Sequence, residues 1–172
     1  MSGRSAAVRT PVEVRAVRLE DPADAAALLD LLDHYARDPM GGGEGLAPAV
    51  KDELVARLRE TPGYAGGLAF VDGQACGLIN CFLGFSTFAA RPLLNVHDLV
   101  VRDGRRGAGV GQALLAFAEA EARRRGCCKL TLEVLTGNAV AMKAYERAGF
   151  RPYALDPAAG TATFLQKKLS PA

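Results

Sequence analysis

The sequence predicts a mixed α/β (α+β) domain in which a mostly antiparallel sheet of six to seven strands is flanked by four helices. Three observations carry that prediction. Apolar residues switch repeatedly between a spacing near two and a spacing near 3.6. Two apolar runs are joined by Asp72-Gly73, the dipeptide most favoured in tight hairpin turns. A glycine-rich segment, Arg102 to Gly111, links a strand-like run to a helix-like one.

Taken in order, Val12 to Leu19 alternates Val and Ala with Glu and Arg, as a half-buried strand does. Asp24 to Arg37 places Ala27, Leu28, Leu31, Leu32 and Tyr35 at helical spacing, which makes an amphipathic first helix. The run from Asp38 to Gly45, with Pro39 and three successive glycines, breaks that helix and reads as a mobile loop. A second helix spans about Pro48 to Glu60. Gly67 to Val71 and Gln74 to Phe85 form the antiparallel hairpin around Asp72-Gly73, and Leu93 to Val101 is the next strand. A helix from Val110 to Arg125 follows the glycine loop, with Gly126 at its C-terminal cap. Lys129 to Leu135 alternates again. Asn138 caps a short helix to Ala148, with Gly149 just past its end. Two closing strands are expected at about Phe150 to Leu155 and Thr161 to Leu169.

The chain has 172 residues, enough for one domain with a substantial core; residues 12–170 are expected to form it, after a disordered tail at 1–11. Lys plus Arg number 21 and Asp plus Glu 19, so the global charge gives no argument for nucleic acid or an anionic membrane as partner. The four cysteines, Cys76, Cys81, Cys127 and Cys128, lie in apolar stretches without zinc-knuckle or CxxC spacing, and are expected as reduced thiols with no metal. No signal-peptide core and no bilayer-length apolar run is present, which points to a cytoplasmic protein.

The chemistry is concentrated in Arg102-Asp103-Gly104-Arg105-Arg106-Gly107-Ala108-Gly109-Val110-Gly111. At a strand-to-helix junction, free amides and the positive helix end converge on one point, which suits an anion. Glycines let phosphate oxygens approach the backbone, and the arginines add charge. A Walker loop is excluded because Gly111 is followed by Gln112 and Ala113. A dinucleotide fingerprint is excluded because the spacing is Gly-x-Gly-x-Gly and falls late in the chain.

With Val101, Arg106, Gly109 and Gly111, the loop resembles the acetyl-CoA loop of the Gcn5-related N-acetyltransferases, Arg/Gln-x-x-Gly-x-Gly/Ala, placed five residues after a strand valine. A second family element, Asn-x-x-Ala-x-x-x-Tyr-x-x-x-Gly-Phe, is matched by Asn138, Ala141, Tyr145, Gly149 and Phe150. The resemblance covers about Val12 to Leu169 and is tight from Leu94 to Phe150. It implies acetyl-CoA as cosubstrate and a sheet whose fourth and fifth strands splay apart. The pantetheine arm would lie on free backbone groups of the fourth strand, at Leu99 and Val101 with Val100 between them. The diphosphate would lie on Arg106, Gly107, Ala108, Gly109, Val110 and Gly111. Asn138, Ala141 and Tyr145 would complete the coenzyme site.

Direct transfer requires a neutral amine, and holding a lysine-like amine neutral at pH 7 costs roughly 4–5 kcal/mol. On a regular fourth strand, Asn95, His97, Leu99 and Val101 share one face and Val96, Asp98 and Val100 the other. His97 lies where several relatives carry a base, and its near-neutral intrinsic pKa suits the task. The alternative is a histidine satisfied within the sheet. Asp98 ranks second, orienting His97 after a bulge or bonding loop backbone; Glu133 is third. Tyr145 falls where the family places the proton donor to the leaving thiolate. Asn138 is a helix cap that could also contact pantetheine.

The acceptor site, by the same resemblance, is built by the first two helices, their connection and the last hairpin. Asp33, Tyr35, Asp38 and Glu44 are its candidates, in a neighbourhood that includes Asp30 and His34. Their carboxylates suit a cationic small-molecule amine. A protein or peptide acceptor and a non-catalytic acyl-CoA sensor remain as rivals, and a homodimer is left open.

Overall fold

The computed structural model describes residues 11–153, 156, 158, 160 and 162–169. Its elements are β1 (Glu13–Ala16), α1 (Pro22–Arg37), α2 (Pro48–Glu60), β2 (Tyr64–Val71), β3 (Gln74–Ser86), β4 (Arg91–Val101), α3 (Val110–Arg124), β5 (Leu130–Leu132) and α4 (Ala139–Arg147). They fall into two compact units, one ending at Leu132 and one beginning at Glu133.

The first unit is a five-stranded sheet in the order β1-β2-β3-β4-β5, antiparallel except between β4 and β5, which run parallel. The β2–β3 turn forms as its dipeptide requires, with φ of 53° at Asp72 and 72° at Gly73, the two left-handed residues of a primed hairpin turn. α1 starts where the Asp21 carboxylate accepts the amides of Ala23 and Asp24, with Pro22 in the first turn. One sheet face is packed by the two N-terminal helices: Leu28, Leu31 and Leu58 meet Leu68, Leu78 and Val100. α3 covers the other face and buries Val110, Leu114, Leu115, Ala118 and Ala122. Gly67 and Gly77 admit that helix, since a Cβ at either would come within 2.7 Å of Phe117 or Val110 respectively.

Two features depart from a regular sheet. In β4, Cys81 pairs with Val96 and Asn80 with Asp98, so His97 is an extra residue, a β-bulge. The strand parity changes there. Val96 now shares a face with Leu99 and Val101, opposite Cys81, Ile79 and Gly77, while Asp98 joins Asn95 and Val100. The expected grouping of Asn95 with Leu99 and Val101 is thereby corrected: alternation along one strand cannot register a residue that its partner strand skips. The second feature is the parallel ladder between β4 and β5, which runs from Leu94–Leu130 to Val96–Leu132 and ends at the bulge. Beyond Val96 no described residue pairs with that edge of β4.

In the second unit, α4 is capped by Asn138, whose side chain accepts the Ala141 amide at 3.1 Å. Gly149 follows at φ 91°, and the Phe150 amide returns to the Tyr145 carbonyl at 3.0 Å. The two expected closing strands are corrected: no described residue of 150–155 or 161–169 is in a strand, and Phe164, Leu165 and Leu169 are exposed. Alternation sets which face a strand would present, but a strand exists only where a partner takes its backbone groups. The sheet therefore has five strands among the described residues, not six to seven. Ala154, Leu155 and Thr161 of those runs, and the expected tail up to Thr10, lie outside the described residues. Among the described residues, no helix is long and apolar enough to cross a membrane.

Candidate active site

β4 ends at Val101, and the chain turns through three left-handed glycines, Gly104 (φ 77°), Gly107 (φ 79°) and Gly109 (φ 92°), before α3 begins. The Arg105 amide donates to the Arg102 carbonyl and the Ala108 amide to that of Arg105, at 3.1 and 3.4 Å, which closes two successive turns. Gly109 is the N-cap, and among the described residues no side chain caps the helix. The first-turn amides of Val110 and Gly111 are thus left for an acceptor from outside, at the positive end of a helix of 15 residues. A Cβ at Gly107 would meet nothing within 4 Å, so phosphate oxygens could come down onto this backbone.

The adjoining strand edge is equally open. The Arg102 amide donates to the Cys76 carbonyl at 2.9 Å, which puts Arg102 and, two residues earlier, Val100 in phase for bonding to β3. Leu99 and Val101 are out of phase and direct their backbone groups to the edge that β5 has left. Consistent with this, the Val101 carbonyl accepts from Arg106 Nε at 3.4 Å. Val100 instead buries its side chain among Leu28, Leu31 and Leu78. Of the three residues expected to hold pantetheine, Leu99 and Val101 turn their backbone groups to the open edge and Val100 turns its own toward β3.

The loop's arginines are tied to α1 and the hairpin. Arg106 reaches Asp38 at 2.9 Å and Asp103 at 3.3 Å. Arg102 pairs with Asp30. Arg105 lies 3.9 Å from Asp72. Among the described residues His34 Nε2 has no hydrogen-bond partner, and it sits 3.8 Å from Asp103. These ties bring the carboxylate-rich end of α1 beside the glycine-rich loop.

At the bulge, His97 is exposed and turns its ring edge onto Phe82, with centroids 5.5 Å apart. Asp98 faces the α1–α2 side. Its carboxylate accepts from Asn80 Nδ2 at 3.0 Å, and Asn80 Oδ1 accepts from the Tyr64 hydroxyl at 2.9 Å. Asn80 is 2% exposed. Burial pushes the Tyr64 phenol above its usual range, and the Cys81 and Asp98 charges add to the shift. Tyr35 is also raised, by burial first and then by the carboxylates of Asp98 and Asp38, which places its phenol in the field of both. The four expected acceptor residues therefore divide. The Tyr35 phenol lies in that field, and Asp38 is one of its sources. The Asp33 carboxylate is occupied by Lys51 (2.9 Å), Arg37 (3.1 Å) and the Leu46 amide (2.7 Å), which hold it down at about 2 and make it an anchor of the α1–α2 connection. Glu44 is exposed.

In the second unit, Asn138 and Ala141 are joined by the capping bond, and Tyr145 stacks edge-on against Phe150 with centroids 6.0 Å apart. The motif thus folds as one short capped helix that carries the tyrosine.

An uncapped glycine-rich helix start next to an open strand edge, followed by this second motif, agrees with the family comparison. The model of the acetyltransferase (GNAT) family matches residues 26–150. The chain belongs to the GNAT acetyltransferase family. Its similarity extends to a streptothricin acetyltransferase of Streptomyces lavendulae, at 40% identity over 80% of this chain and 82% of that protein. An aminoalkylphosphonate N-acetyltransferase of Salmonella typhimurium is 31% identical over 60% of this chain and 66% of its own length. Among solved structures, a ribosomal-protein-alanine N-acetyltransferase from Brucella melitensis biovar Abortus superposes with a TM-score of 0.68, at 21% identity and covering 92% of this chain and 100% of that one. That last likeness shows the GNAT fold and leaves the acceptor open.

In this acetyltransferase, the residues that sequence reasoning missed are Asn80 and Tyr64. The signal was present: an asparagine inside Leu78-Ile79-Asn80-Cys81-Phe82 is a polar group in a buried strand and must have a partner. Its partners could not be named, because the pairing of Asn80 with Asp98 depends on the bulge. Among the described residues no cluster of His, Cys, Asp and Glu could hold a metal.

Proposed function

We propose that this acetyltransferase moves the acetyl group of acetyl-CoA directly onto a primary amine of a small molecule, in particular a cationic one. The observation that carries the reading is the continuous polar track made by the Leu99 and Val101 backbone, the left-handed glycines and the uncapped start of α3. It offers amides in succession to a pantetheine arm and then to a diphosphate. Acetyl-CoA supplies the activated acyl carbon.

The chain's own residues then act as follows. Gly107, Ala108, Gly109, Val110 and Gly111 hold phosphate oxygens, and Arg106 contributes charge after exchanging its Asp38 partner. His97 or Asp98, both at the bulge, takes a proton from the acceptor's ammonium. The freed nitrogen lone pair forms the new bond to the acyl carbon, and the carbon–sulfur bond breaks with its electron pair going to sulfur. Tyr145 gives its phenolic proton to that thiolate and regains one from the nitrogen, which balances the transfer. Tyr35, Asp38 and Glu44 receive the cationic acceptor, with Asp33 keeping their connecting loop in place. The names of the streptothricin and aminoalkylphosphonate relatives support a small-molecule amine.

A panel of amines, amino acids and peptides with acetyl-CoA, followed by release of free thiol, tests the reading. A preferred cationic small amine is the expected result. Preference for a peptide N-terminus or lysine tail would move the acceptor class to protein. Thiol release that ignores every amine would leave an acyl-CoA-binding module.

A further inference from the structure

We propose that Tyr64 and Asn80 are positioning residues that hold the Asp98 carboxylate as the group that binds the acceptor nitrogen and takes its proton. The inference rests on the transfer reaction proposed above and assigns one side chain within it.

The argument begins with the pairing. On a regular β4, Asn80 would stand opposite His97; the bulge places Asp98 there instead. An ionised carboxylate can only accept, so the amide must turn its Nδ2 toward Asp98, and the distance of 3.0 Å fits. Asn80 Oδ1 is then left facing Tyr64, and the phenol must donate to it, at 2.9 Å. Burial keeps that phenol protonated across the working pH range. The chain of donors therefore runs in one direction only, from Tyr64 through Asn80 to one oxygen of Asp98. Asn80 is almost wholly buried, so the amide cannot turn over without stranding a polar group.

One Asp98 oxygen, Oδ2, is held by this bond. The remaining acceptor capacity lies on the α1–α2 side of the sheet, where the Tyr35 phenol lies in its field and in that of Asp38. Among the described residues His97 has no comparable support: its ring is exposed and in T-shaped contact with Phe82. A group that must meet a nitrogen at hydrogen-bond distance gains from being fixed in advance. Asp98 is fixed and His97 is not.

The test is a double-mutant cycle on the full chain, with an amine that turns over. Tyr64→Phe removes one hydroxyl and should lower kcat/KM for the amine about tenfold while leaving KM for acetyl-CoA unchanged. Asp98→Asn should lower kcat/KM about 100-fold. If Tyr64 acts through Asp98, adding Tyr64→Phe to Asp98→Asn costs no more than about twofold further in kcat/KM, against about tenfold in the wild-type background. Asn80→Ala should behave as Tyr64→Phe does, more severely; the phenylalanine variant keeps the test decisive if the alanine one fails to fold. Additive losses in the double variant would overturn the inference. So would an unchanged kcat/KM in Asp98→Asn, and neither result would touch acetyl transfer itself. Absence of any amine-dependent thiol release by the wild-type protein would instead refute the transfer reaction, and the role of Asp98 with it.

Discussion

Gly104 and Gly107 offer a matched pair of perturbations. Their φ values are 77° and 79°, and a Cβ added to either would meet nothing within 4 Å. Substitution by alanine therefore carries the same single penalty in the free protein, the strain of a left-handed L-residue, about 1–2 kcal/mol. For a domain of this size that lowers the melting temperature by roughly 2–8 °C, equally for both variants. The two differ in what lies over them. Gly107 belongs to the run of amides leading to Gly109 and the start of α3, whereas Gly104 precedes the run. If that run seats the diphosphate, the methyl of Gly107→Ala displaces one charge-assisted amide–phosphate bond, worth about 1.5–3 kcal/mol. KM for acetyl-CoA then rises about 10- to 100-fold. Gly104→Ala should leave it within about twofold. Thermal melts and initial rates at saturating amine measure both quantities on the same samples. Equal KM values in two equally destabilised variants would refute the seat on this loop.

Further outcomes are expected elsewhere in the chain. Asp24 is buried and accepts two bonds of 2.6 Å from Arg15 and one of 2.9 Å from the Arg18 amide, so Asp24→Asn should cost about 2–4 kcal/mol, read from urea unfolding. Those bonds hold its carboxyl well below the usual range, Arg15 contributing most. A depressed folded value gives stability above the unfolded value of about 3.9 and loses it on acidification, so the gap between wild type and variant should close only below about pH 4. Asp38→Asn should lower kcat/KM for a cationic amine about tenfold with smaller effects on a neutral one; no change in both Asp38→Asn and Glu44→Gln would remove this loop from acceptor binding. Cys76 and Cys81 are buried, and burial pushes the Cys81 thiol up to about 12, so a thiol reagent should label Cys127 and Cys128 first and reach the other two only on unfolding.

Much of this arrangement is legible in the sequence because its determinants are local. α2 begins and ends where Pro48 and Glu60 predict, and the β2–β3 turn forms from two residues that favour positive φ. The glycine-rich loop before α3 is legible for the same reason, since glycine spacing and a helix start are neighbours in the chain. What escaped is non-local. The His97 bulge exists only in relation to β3, so face assignments beyond Val96 shifted by one residue. The Asp33 carboxylate reads as acceptor-binding until Lys51 and the Leu46 amide are seen to occupy it. Phe150 to Leu155 and Thr161 to Leu169 have strand-like alternation, but nothing in that pattern supplies a partner edge.

His97 is, in the arithmetic of the ladder, a surplus residue. Remove it on paper and Val96 still opposes Cys81, Asp98 still opposes Asn80, and Leu94, Val96, Leu99 and Val101 still line the α3 side. The packing of the sheet makes no demand for a residue at that point. Insertions in a central strand are seldom neutral, so one that leaves both hydrophobic faces in register marks where the strand can vary in length without redrawing the core. It also ends the pairing with β5, so that the backbone of Leu99 and Val101 turns to an edge that no described residue covers.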